Sequence, residues 1–311
     1  MKKIELLLLF FLSFSMILNA QIRNIIIDAD TDNELDDLLA IAAAFKSDKL
    51  DIIGLTAAQW DGRNQTEGEH QPCLNKNSAY TSWLLNVIIL QLLDHDEIPA
   101  LKGSEKRVFY KRGSENNEPR ESEATDFIIK RALELADNEK LTIVSLGSLT
   151  NVASAVMLRP EIAKKISLYW LGQTYDFDKN LWTGKGEFNI ANDLDAFDVL
   201  CDARELEFYI MPNNVSGQLR FHSKSSIARL EGENGIGAFI RERWKEPHYS
   251  VTRDGYWTMW DIALVYAITN PEWAEKKLVD TPPGTLKRKV YIYTDIDEKR
   301  MEDEFWSIFQ K

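Results

Sequence analysis

Asp28-Ala29-Asp30-Thr31-Asp32-Asn33-Glu34-Leu35-Asp36-Asp37 puts five aspartates and one glutamate into ten residues. An apolar run, Ile25-Ile26-Ile27, precedes it, and Leu38-Leu39-Ala40-Ile41-Ala42-Ala43-Ala44-Phe45 follows. A short β-branched run bounded by polar residues suits a buried parallel strand, and the Ala/Leu-rich run suits a helix. The segment is therefore expected to be strand, acidic loop, helix. Acids at the end of such a strand converge on the crevice where open α/β sheets bind ligands.

Carboxylates this close repel and raise one another's pKa unless a cation compensates. Oxygen ligands at this density suit a hard cation, Ca²⁺ or Mg²⁺. A solvated acidic loop, with Asp36 and Asp37 favouring the helix N-terminus, would account for the composition alone. An EF-hand loop begun at Asp28 needs Gly at its sixth position and Glu at its twelfth. Those positions hold Asn33 and Leu39. A phosphatase of the aspartyl-phosphate type also begins Asp-x-Asp after a strand, but Asp32 stands where it would need Thr or Val.

The stretch resembles the N-terminal signature of the inosine-uridine preferring nucleoside hydrolases, Asp-x-Asp-x-x-x-Asp-Asp after a strand. Asp30, Asp32, Asp36 and Asp37 fall on its four acids. Asn33-Glu34 replaces the usual Pro-Gly, which changes the turn chemistry and removes no carboxylate. Three further segments carry the resemblance. The strand Leu141–Leu146 runs into Gly147-Ser148-Leu149-Thr150-Asn151 and a helix, like the family's second signature. Ser148 or Thr150 would serve equally as a helix cap. Glu187-Phe188-Asn189 is similar to the family's Glu-Phe-Asn. Glu and Asn can accept from and donate to vicinal hydroxyls, and the plain alternative is a helix-capping loop. Asp261 opens a helix with Asn270-Pro271 downstream, as the family's last metal acid does. An Asp there also suits a helix N-terminus.

The resemblance spans residues 24 to about 271 and implies an α/β fold, Rossmann-like, with a mainly parallel sheet flanked by helices. It implies one Ca²⁺ held by Asp32, Asp37, the Leu146 carbonyl and Asp261, with Asp30 orienting that shell from behind. Asp36, Glu187 and Asn189 would bind ribose hydroxyls, and Asp32 would also be the general base of N-glycosidic hydrolysis. Trp260 stands where some members carry a His that protonates the leaving base. A Trp gives no useful proton but can stack on a base. His248, Tyr249 and Tyr256 are the upstream alternatives for an acid or a base contact. The loop after the second strand departs from the family's pattern. Asn64 is the candidate for its substrate-contacting Asn, and Asn180 is a further ligand candidate. Members are often dimeric or tetrameric, so a homo-oligomer is also implied.

Elsewhere, strands are expected at Leu50–Thr56, within Pro99–Ser104, and at Ile166–Leu171, Leu206–Met211 and Arg288–Thr294. Helices are expected over 78–93, 123–136 and 298–309, and over 224–244 with interruptions at Gly232, Gly235 and Gly237. Trp83 falls on the apolar face of its helix and reads as core rather than ligand platform. Lys111–Glu123 has the composition of a surface loop.

Met1-Lys2-Lys3, the apolar run from Leu6 and Asn19-Ala20-Gln21 have the order of an export signal: charged, apolar, small. Cleavage is expected after Ala20, leaving one catalytic domain over residues 21–311 and a secreted or periplasmic protein. The formal charge of −12 does not invite nucleic acid. Cys73 and Cys201 are equally compatible with a disulfide and with two free thiols. Two other functions fit the same residues: hydrolysis of a ribosyl compound that is not a nucleoside, and Ca²⁺-dependent ribose or nucleoside binding without turnover. A carboxylate at the base position has no purpose in a binder and argues against the latter.

Overall fold

The computed structural model describes residues 22–61, 77–184, 186–250 and 254–309. The proposed signal segment, Asn64 and Cys73 lie outside them, as does the side chain of His248. The main sheet has eight strands. They are β1 (Ile22–Ala29), β2 (Leu50–Ala57), β3 (Ala100–Leu101), β4 (Leu141–Ser145) and β5 (Ile166–Leu171), then β8 (Glu207–Met211), β11 (Ala274–Asp280) and β12 (Lys289–Ile296). Two small antiparallel pairs complete the set: β6 (Tyr175–Asp176) with β7 (Leu181–Trp182), and β9 (Arg220–His222) with β10 (Tyr256–Thr258). The spatial order is β11-β12-β8-β5-β4-β1-β2-β3. All neighbours run parallel except β11, which is antiparallel to β12 at the edge. The expected mainly parallel sheet is therefore present.

Alternation along β1 shows how the sheet is covered. Ile25 and Ile27 enter one hydrophobic core and Ile26 the other, as a strand with both faces buried requires. The first core takes the helices Asp36–Phe45 and Trp260–Thr269. The second takes Glu123–Glu134, Thr150–Leu158 and Leu194–Asp202. The Asp36–Phe45 helix is buried along almost its whole length, and Ala40, Ala42, Ala43 and Ala44 let its neighbours approach closely.

Strand order reverses between β1 and β4. From β1 the chain builds outward through β2 and β3; from β4 it builds the other way through β5, β8 and β12. Such a switch leaves a crevice at the carboxyl ends of the two central strands, because their following loops part in opposite directions. Register pairs Asp28 with Ser145, so the acidic loop leaves β1 beside the Leu146-Gly147 exit of β4. Among the described residues no helix is long and apolar enough to cross a membrane.

Candidate active site

The crevice is a cleft whose walls include six carboxylates: Asp30, Glu34, Asp36, Asp37, Glu187 and Asp261. Its volume is about 160 Å³. That is below the roughly 300 Å³ of a pocket enclosing a drug-sized ligand, so it suits a sugar with the rest of a molecule toward the mouth. Asp36 and Asp37 enter from the first turn of their helix, and Asp261 from the first turn of Trp260–Thr269. The two helix starts are tied together, since the Asp261 backbone N–H donates to Asp36 Oδ2 at 3.2 Å. Oxygens of Asp36, Asp37 and Asp261 lie within 4.8 Å of one another, a group that could hold a metal ion.

Burial and mutual repulsion push these carboxyl groups upward. Burial, then the negative charge of Glu34, pushes Asp36 up to about 8. Burial followed by the charge of Asp30 raises Asp37, and burial followed by Asp37 raises Asp261. Burial raises Asp30 too, with Glu34, Asp36 and Asp28 adding to it. Among the described residues, three buried oxygens in the group, Asp30 Oδ2, Asp37 Oδ1 and Asp261 Oδ1, find no hydrogen-bond partner. Buried acceptors are costly without a partner. A hard divalent cation would provide one and reverse the repulsion, so the donor set fits the metal that the sequence implied.

The acidic loop folds differently from the sequence expectation for Asp32. The Asn33 N–H donates to the Asp30 carbonyl at 2.8 Å, closing a turn directly after β1. Thr31 Oγ1 pins that turn to Asn86 Oδ1 at 2.6 Å. Asp32 therefore occupies the outer corner and does not line the cleft. Its Oδ1 accepts from Arg243 Nη2 at 3.1 Å, on the Gly235–Trp244 helix. Asp30 faces the cleft instead, and Glu34 returns to it beyond the turn. Behind them, Asp28 Oδ1 accepts from Thr56 Oγ1 at 2.7 Å and Asn151 Nδ2 at 2.8 Å, locking the ends of β1 and β2 to the Thr150–Leu158 helix.

The other expected residues meet at the cleft, each with additional partners. Leu146 lines it, and its carbonyl accepts from Asn189 Nδ2 at 2.7 Å. The same amide nitrogen reaches the Leu171 carbonyl at 3.0 Å, so Asn189 ties together the ends of β4 and β5. Glu187 lines the cleft and also caps the short Phe188–Asn192 helix, accepting from the Asn189 and Ile190 N–H groups. Trp260 lines the mouth together with Asn213, which sequence reasoning had not singled out. Tyr249 and Tyr256 lie off the cleft. Tyr249 is buried edge-on to Trp257, and Tyr256 is packed against His222 and Arg220. Asn180 accepts from Lys277 at the β6–β7 turn, and Trp83 donates its indole N–H to the Ala100 carbonyl.

A family model for the inosine-uridine preferring nucleoside hydrolases matches residues 25–303. The chain belongs to that family. Within it, a curated relative is the probable uridine nucleosidase 2 of Arabidopsis thaliana, 28% identical over 191 residues, covering 55% of this chain and 54% of that protein. The chain thus spans about half the length of the curated relatives it matches. Among solved structures, a plant nucleoside hydrolase superposes with a TM-score of 0.69 at 19% identity, over 92% of this chain and 98% of the other. The purine-preferring ribonucleoside hydrolase of Gardnerella vaginalis gives 0.65 at 22%, over 92% and 97%. At these identities the structures speak for the fold. The nucleoside hydrolase family is metal-dependent, in keeping with the carboxylate group at the switch point.

Proposed function

We propose that this chain hydrolyses the N-glycosidic bond of nucleosides, releasing ribose and free base, with one divalent cation held among its buried carboxylates. The observation that carries this is the set of unpartnered buried carboxylate oxygens at the floor of a sugar-sized cleft. Asp30, Asp37, Asp261 and the Leu146 carbonyl are the groups that would hold the cation. All four line the cleft, which Asp32 does not. An all-oxygen donor set favours Ca²⁺. When bound, such a cation supplies Lewis-acid polarisation of water and of sugar hydroxyls.

The chain's own groups supply the rest. Asp30 takes the proton of the attacking water, a step worth roughly 10²–10⁴-fold. Water oxygen joins the anomeric carbon as the bond to the base nitrogen breaks. The transition state is oxocarbenium-like, so the negative wall of Glu34 and Asp36 opposes the positive charge that develops on the sugar. Asp36 and Glu187 accept from ribose hydroxyls. Asn189 holds the two strand-end carbonyls at their spacing. The curated relatives, probable uridine nucleosidases, make uridine the first substrate to try. The charged, apolar and small order of residues 1–20 supports export.

Chromatography of uridine, inosine, cytidine and adenosine incubated with the protein tests the reading. Release of free base by the wild type, lost in Asp261→Asn, is the expected result. Tight nucleoside binding without release of any base would favour the binding protein instead.

A further inference from the structure

The cleft carries a strong bias about the group that leaves, an inference that rests on the hydrolase reading above. Among the described lining residues there are six carboxylates and no Lys, Arg, His, Tyr or Cys. The guanidinium of Arg243 is turned outward, with Nη2 on Asp32 at 3.1 Å and Nη1 on Glu246 at 3.3 Å. Glu34 is carried into the cleft by the turn at Asp30–Asn33, on a wall that also holds Glu187. The charge of Glu187 is what Glu34 feels most after burial itself. The aromatic lining residues are the half-buried Trp260, next to Asp261, and Phe188.

We propose that the preferred substrates are ribosides of a positively charged ring, N-ribosyl pyridinium compounds, rather than neutral nucleosides. A neutral base departs as an anion unless it is protonated, and among the described lining residues it would depart toward carboxyl groups with no Lys, Arg or His beside them. A pyridinium needs no proton. Water oxygen bonds to the anomeric carbon, the carbon–nitrogen bond breaks with its electron pair going to the ring nitrogen, and neutral pyridine leaves. The proton lost by water goes to Asp30. The charged ring is attracted to the Trp260 face by a cation–π interaction and to Glu34 and Glu187 by their field. A 5′-phosphate would meet the same field with the opposite sign.

The test uses the full chain with Ca²⁺ and three probes, N-ribosyl nicotinamide, uridine and inosine, following released base after subtracting spontaneous hydrolysis. The expected result is a kcat/KM for N-ribosyl nicotinamide at least about tenfold above either neutral nucleoside. In Glu34→Gln, and separately in Trp260→Leu, that ratio falls at least about fivefold, whatever happens to the rates common to all three. Equal or faster cleavage of uridine or inosine, with the ratio unmoved in Glu34→Gln, overturns the substrate class and leaves the hydrolase standing. No base from any of the three, in protein that melts cooperatively, overturns the hydrolase itself and this inference with it.

Discussion

Asp30→Asn and Asp32→Asn should have opposite consequences, although the two residues lie in one short loop. Asp30 is buried, 2% exposed, and its carboxyl is raised by burial and by neighbouring acids. Asp32 has a side chain 32% exposed and paired with Arg243. A cation bound at a hundred times its Kd stabilises the fold by about 2.7 kcal/mol. For a chain of this size that is about 5 °C in melting temperature, at roughly 2 °C per kcal/mol. Asp30→Asn removes one ligand and one buried negative charge. Without cation it should melt higher than the wild type, because the repulsion between Asp30 and its neighbouring acids is relieved. Its shift on adding Ca²⁺ should then shrink below about 2 °C. Asp32→Asn breaks a half-exposed ion pair worth about 0–1 kcal/mol and should keep the full Ca²⁺ shift. The assay is thermal unfolding of each variant in chelator and in excess Ca²⁺. A shift abolished in Asp32→Asn and intact in Asp30→Asn would refute the placement of these side chains.

Three other outcomes follow from single contacts. A Cβ at Gly147 would lie 2.6 Å from Asp30 Oδ1, so Gly147→Ala must displace that carboxylate. Base release should fall about 10²-fold while the circular dichroism spectrum is kept, and a rate within about twofold of wild type would contradict the geometry. Asn189→Asp turns a carboxylate oxygen toward the Leu146 and Leu171 carbonyls, which now receive the amide at 2.7 and 3.0 Å. It should cost about 3 kcal/mol in urea unfolding, and a loss under about 1 kcal/mol would not fit. Asp193 is fully buried, and burial pushes its carboxyl from 3.8 up to about 6. The native state thus holds this proton more tightly than the unfolded chain. Its favourable contribution is complete below 3.8 and lost as the pH rises to about 6, about 3 kcal/mol in all. The stability gap between wild type and Asp193→Asn should narrow by that amount from about pH 4 to pH 7, and a gap independent of pH would count against it.

Much of the architecture was legible because burial on both faces leaves a strong mark. Ile25-Ile26-Ile27 and Leu141-Thr142-Ile143-Val144 are uninterrupted apolar or β-branched runs, and they became the two central strands β1 and β4. The edge strand β11 left no such mark. Its Glu275, Lys276, Lys277 and Leu278 are exposed, as charged edges that resist pairing with other chains often are. The β9–β10 pair joins Arg220–His222 to Tyr256–Thr258 across a long separation that local patterns do not encode. Of the glycines expected to interrupt the helical stretch 224–244, Gly232 and Gly235 do so: it forms two helices, Ser223–Arg229 and Gly235–Trp244, with these two glycines in left-handed conformations at the break.

The site was legible in composition and less so in which acid points where. Asp36, Asp37, Asp261, Leu146, Glu187, Asn189 and Trp260 do line one cleft. The spacing that put Asp32 among them assumed a loop of the Pro-Gly kind. With Asn33-Glu34 in its place, the chain turns one residue after Asp30, so Asp32 points outward and Glu34 inward. The signal for this was the substitution itself, read as turn chemistry. The partner that holds Asp32, Arg243, lies 211 residues away and no local pattern could name it.

The most direct test is a titration of Ca²⁺ into chelator-stripped protein while ribose release from uridine and from N-ribosyl nicotinamide is followed. Release should rise from background to a plateau at one equivalent of cation per chain. Full-rate release from the stripped protein, or none from either compound at any cation concentration, would contradict a hydrolase built on these carboxylates.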